Sequence, residues 1–220
     1  MMENNFIDLL NDARKLAKDK SWSSGFLTFW ENVRNGTLPL EQFQSFVKEM
    51  TYYHENFEAF GSAILHHLNF DLMTIVSNYF IQMTRLSLNE LKIEDDNLLH
   101  LPATEALCNM FLVQAETNPV SYFILQVIFL EFVLSKEDWS KVLDNLKIDV
   151  QYQKSFKNYL DVLHSRSITP ESITEHITVK NSDYIDALKN TIIMLESAEC
   201  LFEEIQSSYK RFSFKDLNPI

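Results

Sequence analysis

Glu131 is the residue whose surroundings most constrain its chemistry. It stands within Ile124-Leu125-Gln126-Val127-Ile128-Phe129-Leu130-Glu131-Phe132-Val133-Leu134, with apolar neighbours on both sides. A carboxylate in such a helix must be paired, protonated or a ligand, because burying a lone charge is costly. His176, Lys180 and Asp183 form a second group, spaced i, i+4 and i+7 so that a helix would present them on one face. A histidine, a cation and a carboxylate in a row read either as a surface salt bridge or as a polar network inside a bundle. The third stretch is Tyr52-Tyr53-His54-Glu55-Asn56-Phe57. Tyr53, Asn56, Phe57 and Phe60 fall on one stripe, which reads first as core with its polar atoms at the rim and second as a pocket wall. Tyr52, Tyr53, Asn56 and Phe57 are accordingly the candidate ligand-pocket residues.

Other chemistries lack their residues. A Glu-x-x-His pair, HExxH, a P-loop, a nucleophile elbow and a zinc-type Cys/His cluster are all missing from the sequence. His66 and His67 are adjacent and would project about 100° apart on a helix, too far to share one ion easily. Cys108 and Cys200 stand apart without metal-type spacing, so both are expected to be buried apolar fillers.

The elements that must carry these residues are helices, since apolar positions recur with helical period almost throughout. Phe6, Leu9, Leu10, Ala13, Leu16 and Ala17 mark a first helix. Phe26, Phe29, Trp30 and Val33 mark a second, stopped by Asn35-Gly36. Thr37 is the expected N-cap of a long helix running from Leu40 to about His67, with Pro39 in its opening turn. Asn118-Pro119 and Thr169-Pro170 begin two more, and Ser135 to Asp138 fits a capping box. Tyr184 to Tyr209 continue the period toward the C-terminus, and Asp95-Asp96-Asn97 lies in the clearest long connection. One all-α domain over residues 1–220 is expected, a bundle of about eight or nine helices with 210–220 as a loose tail.

Composition narrows the classes further. Of 220 residues only Gly25, Gly36 and Gly61 are glycine, which leaves Rossmann sheets, P-loops and β-barrels without their turns. A net charge of −12 repels phosphates and argues against nucleic acid. The most apolar stretch is interrupted by Gln126 and Glu131 and is too short to span a bilayer, and no signal-peptide pattern opens the chain. A cytoplasmic protein without nucleic-acid or membrane partners is the expectation.

The run Phe29 to Phe43, containing Asn35-Gly36-Thr37-Leu38-Pro39-Leu40-Glu41-Gln42, resembles the opening motif of the heme-oxygenase-like superfamily in its non-heme branches. These are TenA-type proteins, pyrroloquinoline quinone synthase, and the chlamydial death-domain-associating protein with its di-iron oxidase relatives. Phe46 to Ile64, Leu101 to Leu107, the helix ending in Glu131, and Glu175-His176 extend the likeness over most of residues 1–200. The resemblance implies a heme-oxygenase-like bundle, a central pocket, a small-molecule ligand and a homodimer. It also implies, for the di-iron branch, a Glu and a His on one helix, a Glu on the apolar helix, and a His-x3-Asp-x2-His motif.

Glu131 matches the apolar-helix Glu and His176 the first His, but Lys180 and Asp183 occupy the next two ligand positions. A lysine ammonium opposes a metal cation and offers no lone pair. Residues 69–89, where the Glu/His pair should lie, contain neither type. A standard di-iron site is therefore expected to be broken. Iron or manganese, if bound, would fall to Glu131, His176 and Asp183. The TenA-type nucleophilic cysteine is missing from Phe123 to Phe132, and no histidine precedes His54 to serve as an axial heme ligand.

The expected function is a diverged enzyme acting on a small aromatic or cofactor-like molecule without the di-iron centre, with Glu131, His176, Lys180 and Asp183 as its catalytic group. The alternatives are a non-catalytic binding protein or pseudoenzyme, and an oxidase with unusual metal ligands.

Overall fold

The computed structural model describes residues 5–69, 71–74, 76–77, 100–134, 137–165 and 177–207. The expectations placed on Asp95 to Asn97, Ser135, Thr169-Pro170, His176 and 210–220 lie outside these. Among the described residues the ordered elements are helical: α1 (Phe6–Asp19), α2 (Ser24–Asn35), α3 (Leu40–Glu55), α4 (Phe57–Leu65), α5 (Pro102–Thr117) and α6 (Pro119–Ile128). A π-helical turn, Phe129–Val133, extends α6, and α7 (Ser140–Asn145), α8 (Val150–Ser165) and α9 (Asn181–Gln206) follow. The class is all-α, as the periodicity requires. No described helix is long and apolar enough to cross a membrane.

Local chemistry sets most boundaries. Asn5 accepts from the Asp8 amide at 2.7 Å and Ser23 from the Phe26 amide at 3.3 Å, each capping the helix that follows. Asn118 does the same for Ser121 at 3.0 Å, with Pro119 in the first turn where its missing N–H costs nothing. Gly36 ends α2 at φ 74°, while its own amide and that of Thr37 return to the carbonyls of Val33 and Asn32. A Cβ at Gly36 would meet the Lys141 Cβ of α7 at 2.8 Å, and Asn145 donates to the Gly36 carbonyl at 2.9 Å. Gly36→Ala should therefore cost more than the ~1–2 kcal/mol of a left-handed alanine, measured as a lowered urea midpoint at unchanged slope.

Three boundaries differ from the sequence reading. Pro39, not Thr37, is the N-cap of α3, because Thr37 turns back and donates its hydroxyl to Asn32 at 3.1 Å. Asp138 caps forward onto the Ser140 amide at 2.9 Å and starts α7 there. The expected long helix from Leu40 breaks between α3 and α4 at Asn56. The Asn56 side-chain amide donates to the Tyr52 carbonyl at 2.9 Å, crowding the backbone bond to that same oxygen at 3.3 Å.

One continuous apolar cluster draws on every helix. α9 runs along it, packed against α6, α5, α1 and α2, while α4 lies on α5 and α7 on α2. α6 is buried on all sides from Val120 to Ile128, as a helix apolar all round must be. Phe26, Phe29, Trp30, Phe43, Phe46, Trp139, Phe156 and Phe202 form one aromatic nest, with centroids 4.8–6.4 Å apart. Trp30 keeps its indole nitrogen buried without a hydrogen-bond partner among these rings. A second nest gathers Tyr53, Phe57, Phe60, Phe111, Tyr122 and Phe129.

Candidate functional site

Of the residues read as catalytic, Glu131, Lys180 and Asp183 lie among the described ones, and each has a local structural role. Glu131 is not buried. The π-helical turn closes with the Leu134 amide on the Phe129 carbonyl at 2.9 Å, and this wide turn brings Glu131 to the surface beside α1. There Arg14 grips it with two bonds, Nε to Oε2 at 2.8 Å and Nη2 to Oε1 at 2.5 Å. With both side chains about a third exposed, the pair contributes about 0–1 kcal/mol. Arg14→Ala should shift the urea midpoint little and leave ligand binding unchanged.

Lys180 stands outside the helix that holds Asp183. Lys180 has extended backbone, φ −80° and ψ 157°, and is the N-cap of α9, so residues 177–180 precede the helix. Its amide donates to Asp183 Oδ2 at 3.2 Å, which makes Asp183 the N3 partner of a cap. His176 lies outside the described residues. Among the described residues, no three His, Cys, Asp or Glu side chains come together as a cation site. The residues of the di-iron scheme that fall among the described ones are engaged locally. Glu131 is bound to a guanidinium, Asp183 closes a helix cap, and Lys180 offers no lone pair.

The aromatic stripe divides at its helix break. Tyr53 and Phe57 are core, 1% and 0% exposed. The Tyr53 hydroxyl donates to Gln126 Oε1 at 3.2 Å, and Gln126 Nε2 donates to the Tyr122 hydroxyl at 3.2 Å. This neutral chain satisfies three buried polar side chains in the middle of the bundle, where rings fill the space around it. Tyr52 and Asn56 are half-buried at the other side of α3.

Tyr52 leads to a polar corner that the sequence reading missed. Its ring stacks on His100 with centroids 3.8 Å apart and planes 17° from parallel. His100 Nδ1 lies 3.6 Å from Oε2 of Glu49, a carboxylate with no exposed surface. Glu49 is there because α5 begins without a capping side chain of its own. The Leu101 amide donates to Glu49 Oε2 and the Ala103 amide to Glu204 Oε2, both at 3.2 Å. Two carboxylates thus serve the unpaired N–H groups and positive end of α5.

Cys108 lies one turn beyond Thr104 on the same face of α5. Burial first, then the charges of Glu49 and Glu105, push its thiol up to about 12, so it is no nucleophile near neutral pH. Thr104 is 1% exposed, and its hydroxyl has no hydrogen-bond partner. Cys200, by contrast, is exposed, which corrects the expectation that both cysteines are buried. The Tyr52 phenol is also held above its ordinary range, by burial and then by Cys108, Glu105 and Glu49, against a lowering contact from Asn56.

Burial raises the Glu204 pKa above the usual glutamate value, aided by Glu49 and opposed by the Ala103 amide. A carboxyl raised in the folded state favours folding while it is protonated, and that contribution is lost as pH rises through the raised value. Glu204→Gln should therefore be more stable than the unchanged chain at neutral pH. The difference should vanish below the ordinary glutamate range, as read by urea unfolding across pH.

The signal for Glu49 was present in the spacing. It follows Phe46 by three residues and precedes Tyr53 by four, which places it on the buried stripe of α3.

The chain is an all-α helical protein with an acidic, aromatic-edged corner at the start of α5. No family model matches the chain, and no curated protein does. Among solved structures it is similar to a Sulfolobus solfataricus protein described as a TenA-like thiaminase, at 14% identity and a TM-score of 0.49. The alignment covers 92% of this chain and 94% of that one.

Proposed function

We propose that this chain is a diverged heme-oxygenase-like protein that binds a small aromatic molecule without a metal centre, at the corner formed by Glu49, Tyr52 and His100. One observation carries the reading: a fully buried carboxylate stands beside a half-exposed aromatic face that already holds a stacked ring. Binding sites combine apolar and aromatic walls with a few fixed polar groups, and this corner has both. The middle of the bundle is the weaker candidate, since aromatic rings surround its Tyr53–Gln126–Tyr122 chain.

A catalytic reading of the same corner also has a specific observation behind it. A carboxylate next to an imidazole is the arrangement that orients a general base, and Glu49 and His100 stand 3.6 Å apart. In that reading His100 takes a proton from the bound molecule and Glu49 holds the ring in place.

The test is ligand-observed NMR on chelator-treated protein with a set of flat one- and two-ring compounds. Saturable binding that weakens at least tenfold in Tyr52→Leu is expected. Binding that occurs only after iron or manganese is restored would overturn the proposal, as would no binding by any flat ring.

A further inference from the structure

α9 carries an apolar stripe on its outward face. Ile185, Ile192 and Ile193 are 53%, 44% and 50% exposed, three of the seven large apolar side chains left exposed among the described residues. Isoleucine forms helices less readily than lysine, glutamate or glutamine, so propensity does not call for it on a solvent face. The core does not call for it either, since Ala187, Thr191, Met194, Leu195 and Ala198 already fill the inner face of α9. We infer that this face is a docking surface for a second copy of the chain, with the two α9 helices antiparallel. The sequence resemblance implies a homodimer but no particular surface. The face and its register rest on these residues, and neither depends on the ligand-binding reading.

The stripe reads the same in both directions. Ile185, Lys189, Ile192, Ile193, Glu196 and Cys200 follow one another at steps of four, three, one, three and four, and all six are exposed. At 3.6 residues per turn they span one arc of about 100°. The midpoint lies between Ile192 and Ile193. A two-fold axis there brings the isoleucines of both copies together, Ile192 on Ile192 and Ile193 on Ile193. One turn out, Lys189 of each copy lies opposite Glu196 of the other, and beyond it Ile185 reaches the Cys200 end. Such a contact is self-complementary, as a two-fold interface must be, and suits two helices crossing at a shallow angle.

Charge selects the partner and its direction. Lys189 and Glu196 are seven residues apart, too far to pair along their own helix, where neighbours are three or four apart. Parallel α9 helices would set Lys189 against Lys189 and Glu196 against Glu196, which like charge disfavours. Antiparallel helices make two opposite pairs around an apolar centre. Glu199, at the edge of the stripe, already pairs with Lys20 at 2.7 Å. The net charge of −12 makes two copies repel at a distance, but at physiological salt that repulsion is screened beyond about 8 Å. α5 runs beside α9 at this level, where Asn190 donates to Gln114 Oε1 at 2.9 Å, and the adjoining Val113 is 49% exposed.

Sedimentation equilibrium of the whole chain at physiological salt tests this. The mass should move from that of one copy to that of two as concentration rises. The double variant Ile192→Gln, Ile193→Gln should stay at one copy throughout, with its helical circular dichroism unchanged. Lys189→Glu alone and Glu196→Lys alone should each weaken association about tenfold or more. Both changes in one chain should restore it, because the opposite pairs re-form with their signs exchanged. A one-copy mass at every concentration would overturn the inference and leave the face to a different partner. A dimer untouched by the isoleucine replacements would also overturn it, since that dimer forms through another surface. So would a charge exchange that stays as weak as either single variant, which excludes the antiparallel register. If the double isoleucine variant loses helicity, Ile185→Gln decides by the same criterion, weakened association supporting the face and unchanged association overturning it.

Discussion

Phe46→Ala should destabilise the chain by about 3–5 kcal/mol, read as a lower urea midpoint with the slope preserved. Phe46 sits at the centre of the first aromatic nest. It stacks on Trp139 at 5.1 Å and 23°, and meets Phe29 at 5.3 Å, Trp30 at 6.2 Å and Phe202 at 6.3 Å. These rings come from α2, α3, α9 and the segment before α7, so the vacancy would open where four parts of the chain meet. Rings held by other rings cannot collapse into a gap without losing their own contacts, which puts the cost toward the upper end of the range. Phe46→Leu keeps most of the volume and should cost less than half as much. A loss below about 1 kcal/mol for Phe46→Ala would show that the nest repacks, contrary to its closed geometry.

The second large effect concerns Glu49. Glu49→Ala removes the acceptor of the Leu101 amide and leaves that N–H buried, a cost of about 1–3 kcal/mol. It also removes the carboxylate that the bound ring would face, so binding of flat rings should fall below detection. Glu49→Gln separates the two roles. Its amide oxygen can still accept from Leu101, so stability should be nearly kept while ring binding falls at least tenfold. Equal losses of stability in the two variants would mean that the charge, not the hydrogen bond, holds the start of α5. Unfolding and binding measured on the same preparations distinguish these outcomes.

What was legible in the sequence is mostly what local chemistry decides. The Asn118-Pro119 start, the Gly36 stop and the apolar period of α1, α2 and α9 depend on residues within one turn of each other. Asn56 shows where that reasoning thins. Nothing in helical period forbids a helix through Asn56, and the break follows from where its amide points. Glu131 was misplaced for a different reason. Its neighbours are apolar, but the π-helical turn re-aims it, and its partner Arg14 is 117 residues away. Lys180 and Asp183 have the spacing of a helical face and also of a helix cap, and only the backbone before Asn181 separates the two.

The polar corner was the least legible part. Glu49 is one of 31 acidic residues, and its burial depends on the Leu101 amide 52 residues away. His100 and Glu204 reach the same place from the residue before α5's cap and from the last turns of α9. No single stretch of sequence carries this arrangement.

The most direct test of the account is the mapping of backbone amide shifts as flat one- and two-ring compounds are titrated into chelator-treated protein. The account predicts saturable shifts centred on Glu49, Tyr52 and the His100 to Thr104 stretch, with Arg14, Glu131 and Asp183 unmoved. Shifts centred on Glu131 and Asp183, or none until iron or manganese is added, would contradict it.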